Sequence, residues 1–401
     1  MQLLLATLLL STDKPGSHPG RPEQVHKLLI IHLNLILSLP IITKVYSLVI
    51  YTVSMKFKFI ALPVALAIFA NAFFITPSHA DNLQGAGSTF AANFIDRCRV
   101  EFMKSTGDSV VYGASGSGAG KNMFSNGVTD FAMSDVPYSG TEVKPSKEFV
   151  YVPLVAGPIG IIYKLDGYKV TIKMSKDTLA KVFAGQITMW NDPQILKENL
   201  ISGKLPKIPA TKIRVVYRVD GSGTSEVFTS YLNAVAPTIW TKPGNKNFSS
   251  AFPGDISKQY MNSASGSHGI AMVQSTTNGS IGYNEISYAR GLKTVSVENE
   301  ARRFIQPTVS AASVFLGDFI PDKSGVVKIN YKNPNKLSYN ISTFTYGVAY
   351  KEKNSKNDSV KKFFNFMLDT CGKKAEDLGY SPIRSSMLKF SKARVAEISS
   401  K

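Results

Sequence analysis

The stretch Tyr217–Phe228, YRVDGSGTSEVF, begins as a β-branched strand, breaks at Asp-Gly-Ser-Gly-Thr and resumes as a helical pattern. A strand that runs through a glycine turn straight into a helix is a building unit of α/β sheets, whose ligands sit beyond the carboxyl ends of the strands. Glycine lets the backbone approach a ligand, and Ser and Thr add hydroxyls. The first N–H groups of the helix, unpaired within it, point the same way as the positive end of its dipole. Arg218 and Asp220 flank the strand end. A guanidinium beside such donors can make a fork of charge-assisted bonds to a tetrahedral oxyanion, and Asp220 is spaced to hold it in place.

Two further turns have the same character: GAGSTF, Gly85 to Phe90, which enters a helical pattern carrying Cys98, and YGASGSGAGKN, Tyr112 to Asn122. One such turn is more often a helix cap than a ligand site. Three in one chain, one of them with Arg218, converge on a single anion. The second approaches the P-loop pattern G-x-x-x-x-G-K-[ST], but Ser115 stands at the first Gly and Asn122 replaces the magnesium-binding hydroxyl. In TDFAMSDVP, Thr129 to Pro137, Asp135 falls where a strand ends. A carboxylate in an anion site makes sense if the anion carries a proton. It would accept a hydrogen bond from phosphate but meet only lone pairs on sulfate, a discrimination of as much as ~10⁴ to 10⁵.

Elsewhere strand-like runs (DSVVYG, TDFAMSD, FVYVPLVAGPIGIIYK, KIRVVYRVD, GSIGYNE, STFTYGVAYK) alternate with helical patterns (FAANFIDRCRVEFMK, KDTLAKVFAG, SEVFTSYLNAV, SVKKFFNFMLD), which is an α/β fold class without internal repeat. Thr241 to Asp255, TKPGNKNFSSAFPGD, reads as a surface loop by composition.

Residues 55–80, MKFKFIALPVALAIFANAFFITPSHA, have two lysines, an apolar run and a small-residue cleavage site, the form of a secretory signal peptide. Residues 1–54 then read as a gene-model extension upstream of a start at Met55. The rival is a membrane anchor across 28–53, where Lys44 leaves a charge-free run short of the ~18 to 20 residues of a span. No Cys near the cleavage site offers a lipid anchor. Cleavage leaves 321 residues, enough for two lobes, and a net charge of +14 out of +18. The basic balance lacks any Lys/Arg block or aromatic-basic stripe, so nucleic acid is the weakest partner for it. A periplasmic location removes the ATP and nicotinamide pools. Only His268 of the five histidines follows residue 80, so zinc sites and histidine catalysis are not expected. Cys98 and Cys371 are either a disulfide or two buried thiols.

GAGSTF, YGASGSGAG, DFAMSD, LAKVFAGQITMWNDPQI, VVYRVDGSGTSEVFTSYL, GSIGYNEISYA and FFNFMLDTCGKKAEDLGYSPI together resemble, in order and spacing, the periplasmic phosphate-binding protein family of bacterial phosphate ABC transporters. The resemblance runs over nearly all of residues 81 to about 390. It implies a two-lobed periplasmic binding protein fold (type II) with the ligand cleft between lobes joined by a hinge. Lobe I would take 81–155 plus 340–401 and lobe II 156–339, which puts Cys98 and Cys371 in one lobe and favours their bridge. Phosphate would be held by Thr89 and the Phe90 N–H, by Ser117, by Asp135, and by Arg218, Ser222, Gly223 and Thr224, with Asp220 behind Arg218. Where the family's second turn tends to read Gly-x-Gly-Ser-Ser-Gly-Gly, this chain has Gly118 and forgoes a neighbouring hydroxyl. The implied protein is a monomer without cofactor, not an enzyme, that closes on phosphate with a Kd of about 1 μM or tighter and presents it to permease subunits. Arsenate or sulfate binding, a phosphate-ester hydrolase and a secreted adhesin are the competing functions.

Overall fold

A strand of fifteen residues with two prolines organises the molecule. The computed structural model describes residues 82–140 and 142–399; the signal peptide expected at 55–80 and the stretch 1–54 lie outside the described residues. In chain order the elements that matter are β1 (Asn82–Gly87), α1 (Ala92–Thr106), β2 (Ser109–Gly113), α2 (Ser117–Ser125), β3 (Phe131–Ser134), β4 (Phe149–Tyr163), α3 (Lys176–Phe183), β5 (Arg214–Arg218), α4 (Gly223–Val235), β6 (Met261–Ala264), α5 (Gly266–Thr276), β7 (Ser280–Glu285), β8 (Ser342–Tyr350) and α6 (Asn357–Asp369). The main sheet runs β2-β1-β3-β8-β4-β7-β5-β6, and Lys293–Thr294 adds a ninth strand against β4.

β1 is parallel to β2 and β3, and β5 is parallel to β7 and β6. Each group therefore sends its strand ends, and the helix starts that follow them, to one edge. The two groups are joined through β4 and β8. β4 pairs antiparallel with β8 as far as Pro158, then with β7 from Ile159 onward. Every residue of β4 after Phe149 is buried, which is why it reads as one apolar run rather than as an alternating strand. Pro153 has no N–H to donate, and the β4–β8 register slips between Thr345 and Tyr346, opposite it. A bulge there re-aims the side chains beside it.

Around the first group the core packs Phe102 edge-on against Phe363 and Phe366 at 5.2 and 5.3 Å between ring centroids, and Phe131 edge-on against Phe364 at 5.6 Å. α6 supplies this face because Val360, Phe363, Phe364, Met367 and Leu368 recur at helical spacing and are all buried. Around the second group Phe228 stacks on Tyr283 at 4.7 Å and meets Phe183 at 4.7 Å. Each such side chain contributes roughly 1.5–3 kcal/mol. The LAKVFAGQITMW segment is core here: Leu179, Val182, Phe183, Ile187 and Trp190 are all buried.

One expectation is corrected. Thr241 to Asp255 is not only surface loop: Phe248–Ala251 is a short helix, and Phe248 and Phe252 are buried against Trp240 at 5.7 and 6.0 Å. Gly, Pro, Asn and Ser dominate the composition of that stretch and hide two aromatic anchors in it.

The structure joins Cys98, on α1, and Cys371, just after α6, as a disulfide with 5.6 Å between Cα atoms. A crosslink that far apart in sequence constrains the unfolded chain. Reduction and alkylation should lower stability by about 2–5 kcal/mol, read as a fall in thermal midpoint by circular dichroism; an unchanged midpoint would show that the bridge does not stabilise the fold.

Candidate anion site

The turns after β1, β2 and β5 meet at one place, and a fourth joins them. After β1, the Ser88 hydroxyl donates to Asp135 Oδ1 at 2.6 Å and accepts from the Ala91 N–H at 3.2 Å. Among the described residues no acceptor pairs with the N–H groups of Thr89 and Phe90. After β2, Gly116 adopts φ 93°, a conformation open to glycine, and Ser117 starts α2 with its hydroxyl 3.4 Å from Asp135 Oδ2. The helix-cap alternative fits neither of these two turns: Ala91 and Gly116 hold the N-cap positions and make no side-chain cap bond. It does fit the third, where the Ser222 hydroxyl accepts from the Ser225 N–H at 3.1 Å and so caps α4. That hydroxyl keeps its own proton to donate.

Across the cleft the turns touch. The Gly118 N–H donates to the Gly221 carbonyl at 2.9 Å, and a Cβ at 118 would stand 3.1 Å from that oxygen. A side chain at 118 would crowd this contact. A Cβ at Gly223 would come within 2.6 Å of Ser117 Oγ and 2.8 Å of Asp135 Cβ, so Ser117, Asp135 and the start of α4 share one small space.

The charges are arranged in pairs. Arg218 is 3% exposed, its Nε donates to Asp220 Oδ1 at 2.7 Å, and Nη2 engages Oδ2. Burial works to raise the Asp220 carboxyl, but the Arg218 bonds and charge and the Gly266 N–H outweigh it and hold it below the ordinary value. Because Asp220 balances Arg218, attraction for an anion comes chiefly from hydrogen-bond donors and helix starts. Asp135 is also 3% exposed. Burial pushes its carboxyl up, and the hydroxyls of Ser88, Thr345 and Ser117 and the Arg218 charge only partly restore it. Its Oδ1 takes two short bonds, from Ser88 and from Thr345 at 2.7 Å. Among the described residues its Oδ2 has only the long Ser117 contact and is the oxygen left to accept another proton. The Thr224 hydroxyl is buried with no partner among the described residues, a cost of ~1–3 kcal/mol unless something else accepts from it.

Thr89, Phe90, Ser117, Arg218, Asp220, Ser222, Gly223 and Thr224 thus lie on or at the ends of the turns that meet here, and Asp135, just after β3, is hydrogen-bonded to two of these turns through Ser88 and Ser117. The sequence reading missed Ser88, Thr345 and the fourth turn, Ser265-Gly266-Ser267 at the start of α5. The Ser267 N–H donates to Thr89 Oγ1 at 3.2 Å, and the Gly266 N–H donates to Asp220 Oδ1 at 3.0 Å. Its Gly-Ser pattern is the usable signal for it. Thr345 left none, because it reads as an ordinary strand residue. At the outer lip Glu142 bridges Lys121 and Lys246, each at 2.6 Å. Burial acts to raise Glu142, and the two ammonium groups overcome it.

The profile of the PBP superfamily domain matches residues 75–370. The chain is 38% identical over 217 residues to phosphate-binding protein PstS 2 of Mycobacterium tuberculosis, covering 52% of this chain and 55% of that protein, about half its length. It is 31% identical over 324 residues to phosphate-binding protein PstS 3 of Mycobacterium leprae, covering 76% and 83%. Among solved structures, the high affinity periplasmic phosphate-binding protein PfluDING bound with phosphate matches with TM-score 0.63 at 22% identity, over 78% of this chain and 93% of that one, a likeness of fold.

A buried carboxylate raised above its ordinary value makes the folded protein bind the extra proton, so its contribution is lost as pH rises through that raised value. Asp135→Asn keeps an acceptor for Ser88 and Thr345 and removes the charge. It should raise the thermal midpoint of the ligand-free protein near neutral pH by about 2–4 °C, on the order of 1 kcal/mol. A lower midpoint would show that the carboxylate itself stabilises the fold.

Proposed function

This chain belongs to the PBP superfamily, and on that premise we propose that it is a receptor for inorganic phosphate, which it encloses between two lobes and hands to an ABC-type permease. The relatives it resembles are named phosphate-binding proteins. The observation that carries the reading is a buried acceptor set among buried donors. Asp135 Oδ2 stands beside Ser117 and Gly223, and the residue after Gly223, Thr224, has a buried hydroxyl without a partner among the described residues. Four phosphate oxygens want donors and its one proton wants an acceptor, and this site offers both. Sulfate would bring only lone pairs to Asp135.

In this reading the ligand set is Thr89, Phe90 through its N–H, Ser117, Asp135, Arg218, Ser222, Gly223 and Thr224, with Asp220 holding Arg218. The lobes are 81–155 with 340–401, and 156–339. The cross-cleft bonds Gly118–Gly221 and Glu142–Lys246 form on closure, and the closed shape is what the permease recognises. The protein is a monomer without enzymatic activity, exported to the periplasm by the signal peptide at 55–80. Among the described residues no helix is long and apolar enough to cross a membrane.

Isothermal titration of the protein stripped of endogenous ligand should give a Kd of about 1 μM or tighter for phosphate and no heat with sulfate. Thr224→Val should weaken phosphate by about tenfold, the worth of one buried hydrogen bond to an anion. Equal binding of sulfate, or no phosphate heat, would overturn the reading. Lys246→Ala should speed phosphate release several-fold while changing capture little, because the pair forms only when the cleft is shut; stopped-flow measurement of both rates checks this.

A further inference from the structure

At the point where β4 changes partner, a second carboxyl is buried with an unusual set of neighbours. Glu285, the last residue of β7, is opposite Ile159 in the ladder and fully buried. Its Oε1 accepts from the Ser287 N–H at 2.7 Å, and its Oε2 meets the Ser287 hydroxyl and, at 3.0 Å, the Tyr380 hydroxyl. That tyrosine also donates to the Phe90 carbonyl at 2.7 Å, and its ring stacks edge-on against Phe90 at 5.9 Å. Asn93 Nδ2 donates to Ser287 Oγ at 2.7 Å.

Those five contacts have only four hydrogens to serve them when Glu285 is ionised. Tyr380 has one proton, which cannot satisfy both the Phe90 carbonyl and Glu285 Oε2. A proton on Glu285 supplies the fifth hydrogen and lets Tyr380 commit its own to Phe90. We propose that Glu285 is a protonated positioning residue which, through Tyr380, fixes the Phe90 peptide in the anion-binding turn, so that phosphate affinity requires Glu285 to be uncharged.

This rests on the phosphate reading for its ligand, although the proton does not. Burial pushes the Glu285 carboxyl up to about 8, against the opposing bonds from Ser287, Tyr380 and the Ile286 N–H. The surrounding titratable groups do not replace that proton. Burial raises Tyr380 and Tyr288, and on Tyr288 the charges of Glu285 and of Asp96 on α1 add to the rise while Arg218 of β5 opposes it. His268, Arg290 and Asp377 line the neighbouring cavity of about 750 Å³. A folded-state value above the usual 4.5 means that the group's contribution is full below that value and is lost as pH rises through about 8.

The test compares phosphate affinity of the full protein, Glu285→Gln and Tyr380→Phe from about pH 6.5 to 9.5. The ligand's own titration is common to all three. Gln keeps a donor toward Tyr380 at every pH. Affinity of the unaltered protein should therefore fall relative to Glu285→Gln by up to about tenfold per pH unit above the midpoint, while the two agree at the acid end; Tyr380→Phe should be weak throughout. Parallel profiles for the protein and Glu285→Gln would overturn the proposal. Infrared difference spectra of the ligand-free proteins give a second readout: a protonated carboxyl C=O band at neutral pH that Glu285→Gln lacks supports it, and no such band overturns it. Because no phosphate is present, that result stands even if phosphate does not bind.

Discussion

A carboxylate sealed away from water is the constraint on which the centre of this protein depends. Asp135 is 3% exposed, and a charge so placed is tolerable only where hydrogen bonds surround it. Ser88, Thr345 and Ser117 supply them from three separate segments. Arg218 is equally deep and is neutralised at once by Asp220. The result is a small polar chamber in an apolar sheet edge, with little net charge and many directed donors.

Two features of the chain make that chamber possible. Parallel strands on either side of the molecule deliver helix starts to the same edge, so that the turns before α1, α2, α4 and α5 face one another. Between them the β4–β8 ladder is interrupted opposite Pro153, and the slip lies at Thr345, whose hydroxyl reaches Asp135. The same strand carries Gly157, against which the Phe90 ring lies; a Cβ there would stand 3.3 Å from it. β4 and the site are thus packed as one unit, and Tyr380, whose ring would lie 3.6 Å from the same Cβ, continues it to Glu285.

This arrangement holds back stability for function. An unpartnered Thr224 hydroxyl, a raised Asp135 and a raised Glu285 all cost the ligand-free fold free energy. The aromatic cores on both sides and the Cys98–Cys371 bridge offset it. On the proposed function the same expense would give selectivity, since an anion that failed to satisfy Asp135 would leave a buried acceptor facing a lone pair.

The α/β class, the strands that end at the glycine turns, and the Arg218–Asp220 pair were legible in the sequence because each depends on residues a few positions apart. Glycine turns, β-branched runs and a two-residue spacing are local properties, and local geometry follows from them. The sequence also marked Asp135, through its place at a strand end before Pro137. Ser88 and Ser267 also lie in glycine turns, but nothing local tells which hydroxyl of such a turn meets a carboxylate or a threonine far along the chain. Thr345, Tyr380 and Glu285 lay beyond reach, since their partners are 210, 290 and 95 residues away. Only the tertiary structure brings a mid-strand threonine to a carboxylate or a C-terminal tyrosine to the first turn. Contacts of that range are decided by sheet order and by the bulge at Pro153, and neither leaves a periodic trace in the chain.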